Sequence, residues 1–208
     1  MGIGDETIDE FLDAIASPSP TPGGGTVSAI CAALSVALSR MVANLARGKE
    51  GYESAHEELA ALDSRAHHLQ DRLRELAAED AAAYEAVVAA MRMPRTTDED
   101  RAKRVEAMQA AYRRAAEVPL ETMERSLEAL EIAAIAVTRG SRSATSDAGV
   151  AALLAEAAMR GAALNVKVNL AALRDAPYRE GVERTLDAIL ARADKIGHDV
   201  LAIVEGRL

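Results

Sequence analysis

The chain has 208 residues rich in Ala, Leu, Glu and Arg, while aromatics make up 2% of it, with no Trp and one Phe. Such a composition supplies strands and stacking platforms poorly, so the expected fold is all-α, an antiparallel bundle of long helices forming a single domain over residues 1–208. A formal net charge of -9 disfavours nucleic acid or an anionic membrane as partner, since both need concentrated Lys and Arg.

The first predicted helix runs from about Thr7 to Ala16. Thr7 and Glu10 fit a capping box, Ile8, Phe11, Leu12 and Ile15 make an apolar stripe, and Pro18 ends it. Pro18, Pro20 and Pro22 then keep the chain extended, Gly23, Gly24 and Gly25 let it turn and approach a neighbour closely, and Thr26 suits an N-cap. The helix that follows, to about Ala46, is apolar on nearly every side and is expected to be buried all round, with Ala29, Ala33 and Ala37 admitting close neighbours. Unpaired N–H groups at its start suit a phosphate or carboxylate, and a tight turn between packed helices is the plainer alternative. Ser35, Ser39, Arg40 and Asn44 break its apolar run, so no membrane span is expected. Arg47, Gly48, Lys49 and Gly51 form a basic turn that either complements the helix dipole or reaches an acidic ligand.

From Tyr52 to Met91 one long pattern places Leu59, Leu62, Ala66, Leu69, Leu73, Leu76, Asp80, Ala83 and Val87 three and four apart, a heptad seam. Asp80 occupies a seam position that calls for an apolar residue, so its carboxylate should face the interior or a cavity, either as a functional group or as a structural one bonded to a neighbouring helix. Tyr84 lies one turn beyond on nearly the same face. Thr96 or Thr97 opens the next helix, striped by Val105, Met108, Tyr112 and Ala115, and Pro119 opens a further one that Gly140 caps. Ser146 and Asp147 are suitable N-caps for a helix to about Leu173, expected to bury Val150, Leu153, Leu154, Ala157, Gly161, Leu164 and Val168. Asn165 and Asn169 share a face beside Lys167, either to hydrogen-bond a polar heterocycle or to pack against another helix. After Pro177 a final helix carries Val182, Leu186, Ile189, Ala193, Ile196 and Val200.

His56, His67, His68 and His198 show no HxxxH or HExxH spacing, and Cys31 has no CxxC partner, so no metal site is expected. A single cysteine cannot form an internal disulfide, and the N-terminus lacks the basic-then-apolar pattern of a signal peptide, which points to the cytoplasm.

The segments PTPGGGTVSAICAALSVALSRMVANLARGK, EDAAAYEAV, AAEVPLE and SDAGVAALLAEAAMRGAALNVKVNLAAL together resemble the cyclodeaminase/cyclohydrolase family over about Ile8 to Asp175. That family includes the C-terminal domain of formiminotransferase-cyclodeaminase and stand-alone methenyltetrahydrofolate cyclohydrolases. The loop Gly140-Ser141-Arg142-Ser143 departs from relatives, which often carry asparagines there. The resemblance implies an all-helical homodimer with folate sites near the subunit interface, and Asp80 as the catalytic carboxylate. It implies a tetrahydrofolate derivative as substrate with no separate cofactor. Gly23, Gly24 and Gly25, with Lys49 or Lys167, are candidates for the pterin edge or the glutamate tail, and Tyr84, Asp147, Asn165 and Asn169 complete the candidate substrate site. Methenyltetrahydrofolate cyclohydrolase is the expected activity, with formiminotetrahydrofolate cyclodeaminase and a non-catalytic folate-binding scaffold as the alternatives.

Overall fold

The computed structural model describes residues 6–208, and among them every regular element is helical. The helices are α1 (Ile8–Ala16), α2 (Gly24–Asn44), α3 (His56–Met91), α4 (Asp98–Arg139), α5 (Thr145–Leu170) and α6 (Ala176–Glu205), with short 3-10 turns leading into α3 and α5. The expected all-α fold is what the chain adopts. Helix α2 packs on α3, α4 and α5, and α4 also meets α3, α5 and α6.

Local side chains cap three of the six helix starts. Thr7 with Glu10 and Thr97 with Asp100 close reciprocal capping boxes, and the Asp175 carboxylate accepts from the Tyr178 N–H ahead of α6. Two starts lie earlier than the sequence suggests. Helix α2 begins at Gly24 with Gly23 as its N-cap, so Thr26 lies inside the helix, and α5 begins at Thr145, which puts Ser146 and Asp147 in its first turn. The 3-10 turn Arg142–Ala144 feeds directly into α5, held by the Thr145 hydroxyl donating to the Arg142 carbonyl.

The expected break at Pro119 does not occur, and α4 runs through it as one helix of 42 residues. Proline leaves the carbonyl four residues earlier without its usual donor. Here that carbonyl belongs to Ala115, and Asn169 Nδ2 donates to it at 2.8 Å from α5. A tertiary hydrogen bond thus replaces the helical one.

The seam of α3 is buried as expected from Leu59 to Val87, Asp80 alone being only half-buried. Helices α2 and α5 differ from expectation. By length and hydropathy both are apolar enough to cross a membrane, yet they form the middle of the bundle, and it is their small residues that face inward. In α5 the chain buries Ala148, Ala151, Ala155, Ala158 and Ala162, while Val150, Leu153, Leu164 and Val168 are exposed, and in α2 Val27, Leu34 and Met41 are exposed. Small side chains let the helix backbones approach closely, which turns the larger ones outward. The outward residues are Val27, Leu34 and Met41 of α2, with Leu45 just beyond it, and Val150, Leu153, Leu164 and Val168 of α5, whereas Ile30 and Leu38 pack in part against the core and Gly161 meets Ser28 of α2.

Candidate active site

Asp80 projects from α3 toward the first turn of α2, where Gly23 offers no side-chain cap. The Asp80 carboxylate takes that place. Thr26 Oγ1 donates to Asp80 Oδ2 at 3.0 Å, and the Thr26 backbone N–H also bonds the carboxylate, so an anion 54 residues away satisfies the positive end of α2. Gly25 makes this possible, because a Cβ there would overlap the Asp80 carboxylate.

Burial pushes the Asp80 carboxyl above its ordinary value, and the bonds from the Thr26 hydroxyl and N–H only partly offset it. Among the described residues no cation lines this site. Around Asp80 lies a cavity of about 320 Å³, walled by Pro20 and Thr21 before α2, by Gly23, Gly24 and Gly25, by Ala83, Tyr84, Val87 and Met91 of α3, by Tyr112 and Ala115 of α4, and by Asn165, Val168 and Asn169 of α5. The size suits a fused heterocycle, and the walls are mostly apolar with a few polar groups, as ligand pockets generally are.

The two asparagines face the cavity from α5 with their amide nitrogens already occupied. Asn165 Nδ2 donates to the Gly161 carbonyl at 3.0 Å, and Asn169 Nδ2 donates to the carbonyls of Ala115 and Asn165 at 2.8 and 2.9 Å. Each Oδ1 is therefore left as an acceptor with no donor among the described residues. Together with the Asp80 carboxylate, these oxygens can accept from a ligand's N–H groups and offset its positive charge.

Of the residues singled out from the sequence, the fold brings Gly23, Gly24, Gly25, Asp80, Tyr84, Asn165 and Asn169 to this one cavity. Lys49, Asp147 and Lys167 are not brought there. Lys49 follows the far end of α2, a helix of 21 residues and so ~31 Å long, and Asp147 lies 18 positions from Asn165 along α5, ~27 Å away. Lys167 is exposed, two residues and so about 200° around α5 from Asn165. The anion cradle expected at the glycine turn is filled in part by the protein's own carboxylate. Thr26 was legible only as a cap, since nothing in its neighbourhood points to a partner 54 residues on. Among the described residues no group of three His, Cys, Asp or Glu side chains is placed to hold a metal ion.

The half-buried Asp80 carboxylate thus stands on a glycine turn with no cation beside it among the described residues, and the model of the formiminotransferase-cyclodeaminase family matches residues 7–188. The chain belongs to this family. Over 205 residues it is 38% identical to a methenyltetrahydrofolate cyclohydrolase of Methylorubrum extorquens, with 99% of each protein covered. It is 30% identical to the formimidoyltransferase-cyclodeaminase of Gallus gallus over 206 residues, which are 99% of this chain but 38% of that longer protein. The crystal structure of formiminotetrahydrofolate cyclodeaminase from Thermotoga maritima matches with a TM-score of 0.89 at 27% identity, covering 98% of both chains. In this family member, therefore, the whole helical body is shared with enzymes named for both activities.

Proposed function

We propose that this chain is a methenyltetrahydrofolate cyclohydrolase, hydrolysing 5,10-methenyltetrahydrofolate to 10-formyltetrahydrofolate with Asp80 as the proton shuttle. The observation that carries the reading is the Asp80 carboxylate, half-buried in a ligand-sized cavity with Thr26 as its hydrogen-bond donor and no cation in the cavity wall. The substrate's amidinium supplies the missing positive charge, an attraction on the order of 4 kcal/mol gross at 4 Å and an effective dielectric of 20.

Ionised Asp80 takes a proton from the water whose oxygen adds to the methenyl carbon. The bond from that carbon to N5 then breaks, the same proton passes from Asp80 to N5, and the adduct's hydroxyl proton leaves to solvent as the formyl C=O forms. A raised pKa suits a group that must accept the proton and then return it. The Oδ1 acceptors of Asn165 and Asn169 suit the N–H edge of the pterin, and Tyr84 and Met91 offer apolar surface at the cavity wall.

The formiminotetrahydrofolate cyclodeaminase reading stands second, favoured by the likeness to the Gallus gallus and Thermotoga maritima proteins. There, protonated Asp80 would help expel ammonia after N10 attacks the formimino carbon. The relative matched end to end at 38% identity favours the hydrolase. The reading extends to a cytoplasmic homodimer, for which the exposed apolar residues of α2 and α5 supply a surface.

Absorbance of the methenyl chromophore decides among these. With 5,10-methenyltetrahydrofolate, loss of absorbance faster than the buffer blank establishes the hydrolase. Gain of absorbance with ammonia release from 5-formiminotetrahydrofolate establishes the deaminase, and silence in both assays leaves a folate-binding scaffold.

A further inference from the structure

Every described helix but α1 buries some of its residues. Ile8, Phe11, Leu12 and Ile15 belong neither to the core nor to the side chains packed against it, and Ile8 is 78% exposed. The helix is nonetheless strongly one-sided, capped by a complete Thr7–Glu10 box. Nine residues fall short of the ~12–15 at which an isolated helix is even marginal in water, so α1 needs a surface to lie on.

Two observations select that surface. The outward residues of α2 and α5 form a second apolar surface without a partner among the described residues, with Leu164 66% and Val168 73% exposed. Charge is complementary as well. Helix α1 carries Asp9, Glu10 and Asp13 and no basic residue, whereas Lys167 stands exposed between Leu164 and Val168 with no ion pair among the described residues. The acidic arm would be repelled by an anionic lipid surface, which disfavours a membrane as occupant.

We infer that α1 is an exchanged arm: in the homodimer, α1 of each protomer lies apolar face down on the outward α2 and α5 residues of the other, its acidic side chains beside the partner's Lys167. This rests on the homodimer reading given above. Ser17 to Ser19, ahead of the Pro20 and Thr21 that line the protomer's own cavity, reach roughly 9 Å at ~3.1 Å per residue, about one helix–helix spacing, which lets the arm cross to a protomer packed beside it. Pro20 and Thr21 of the same linker line the Asp80 cavity, so docking of the arm fixes one rim of the active site.

The test places the photo-crosslinking residue p-benzoylphenylalanine at Leu12 in the otherwise native chain. Irradiation is expected to give covalent dimers whose linked peptide comes from α2 or α5. In parallel, the Ile8→Ser, Leu12→Ser double variant is expected to raise the dimer Kd, followed by light scattering, at least ~100-fold, two apolar side chains being exposed per arm. Asp9→Lys with Asp13→Lys is expected to weaken the dimer, and adding Lys167→Glu to restore it. Crosslinks confined to one chain or to added phosphatidylserine vesicles, or an unchanged Kd in a variant with native helical circular dichroism, would overturn the exchanged arm while the dimer stands. A wild-type chain that is monomeric at micromolar concentration overturns both. Because the crosslink is made in a chain with native arm charges, misfolding of a serine or lysine variant does not leave the question open.

Discussion

Glu79 and Asp80 are adjacent carboxylates on α3 that meet opposite surroundings. Glu79 is bonded by Arg72 at 2.6 Å and also by Arg114 of α4, within a network in which Arg72 further binds Glu75 and Glu121. The Arg72 guanidinium holds the Glu121 carboxyl below its ordinary value. Asp80, one residue on and about 100° around the helix, has the Thr26 hydroxyl and N–H and no cation, and burial drives its carboxyl the other way. A carboxylate whose charge is compensated by the fold ties helices together, whereas one left uncompensated in a cavity suits the cationic substrate of the proposed reaction. Composition alone does not tell the two apart.

Four substitutions test this contrast. The largest effect is expected from Asp80→Asn, which removes the proton shuttle while keeping an oxygen for Thr26, and should lower turnover by ~10²–10⁴ in the chromophore assay. The same variant should be at least as stable as wild type at pH 7. The folded pKa of Asp80 is raised above its unfolded value of 3.8, so ionisation destabilises the fold; the cost is absent below pH 3.8 and complete above the folded pKa. A melting temperature that falls at neutral pH on Asp80→Asn would make Asp80 a structural group instead.

Next comes Gly25→Ala, whose added methyl displaces the Asp80 carboxylate; a shift of about 1 Å in a catalytic group costs on the order of 10²-fold in kcat. Thr26→Val removes a bond to the ionised form of Asp80, so the carboxyl pKa rises further. The acid limb of the kcat/KM profile should move to higher pH by about 1–2 units, the equivalent of a charge-assisted bond of ~1.5–3 kcal/mol. An unmoved limb would remove Thr26 from the site. The smallest effect is expected from Glu79→Gln, which leaves kcat within about twofold and costs ~1 kcal/mol or less in urea unfolding, with salt reducing the difference, as for partly exposed ion pairs. A large loss of turnover there would mean that the α3–α4 network positions Asp80.

Much of this was legible in the chain because it is local. Heptad spacing in α3 exposed Asp80 as the wrong residue on a buried seam, and the capping boxes at Thr7 and Thr97 marked helix starts, since a box is set by residues three apart. Where the reading failed, the deciding partner was distant. Pro119 continues a helix because Asn169 of α5 satisfies the Ala115 carbonyl, and Thr26 serves Asp80 across 54 residues. In α5, hydropathy placed Leu153, Leu164 and Val168 inside, but backbone approach favours alanine at the contact, and the larger side chains face out.

Neighbouring residues alone set the all-α class, the seam of α3, the glycine turn ahead of α2 and the anomaly of Asp80, because periodicity, caps and backbone freedom are local properties. Packing of the helices is what brings Asp80 to the glycine turn, turns Asn165 and Asn169 toward the same cavity, leaves Lys49, Asp147 and Lys167 elsewhere, and sets which faces of α2 and α5 stay uncovered. Those outcomes depend on how close two helix backbones come and on which carbonyls and N–H groups remain unpaired when they do, quantities fixed only after the helices have packed.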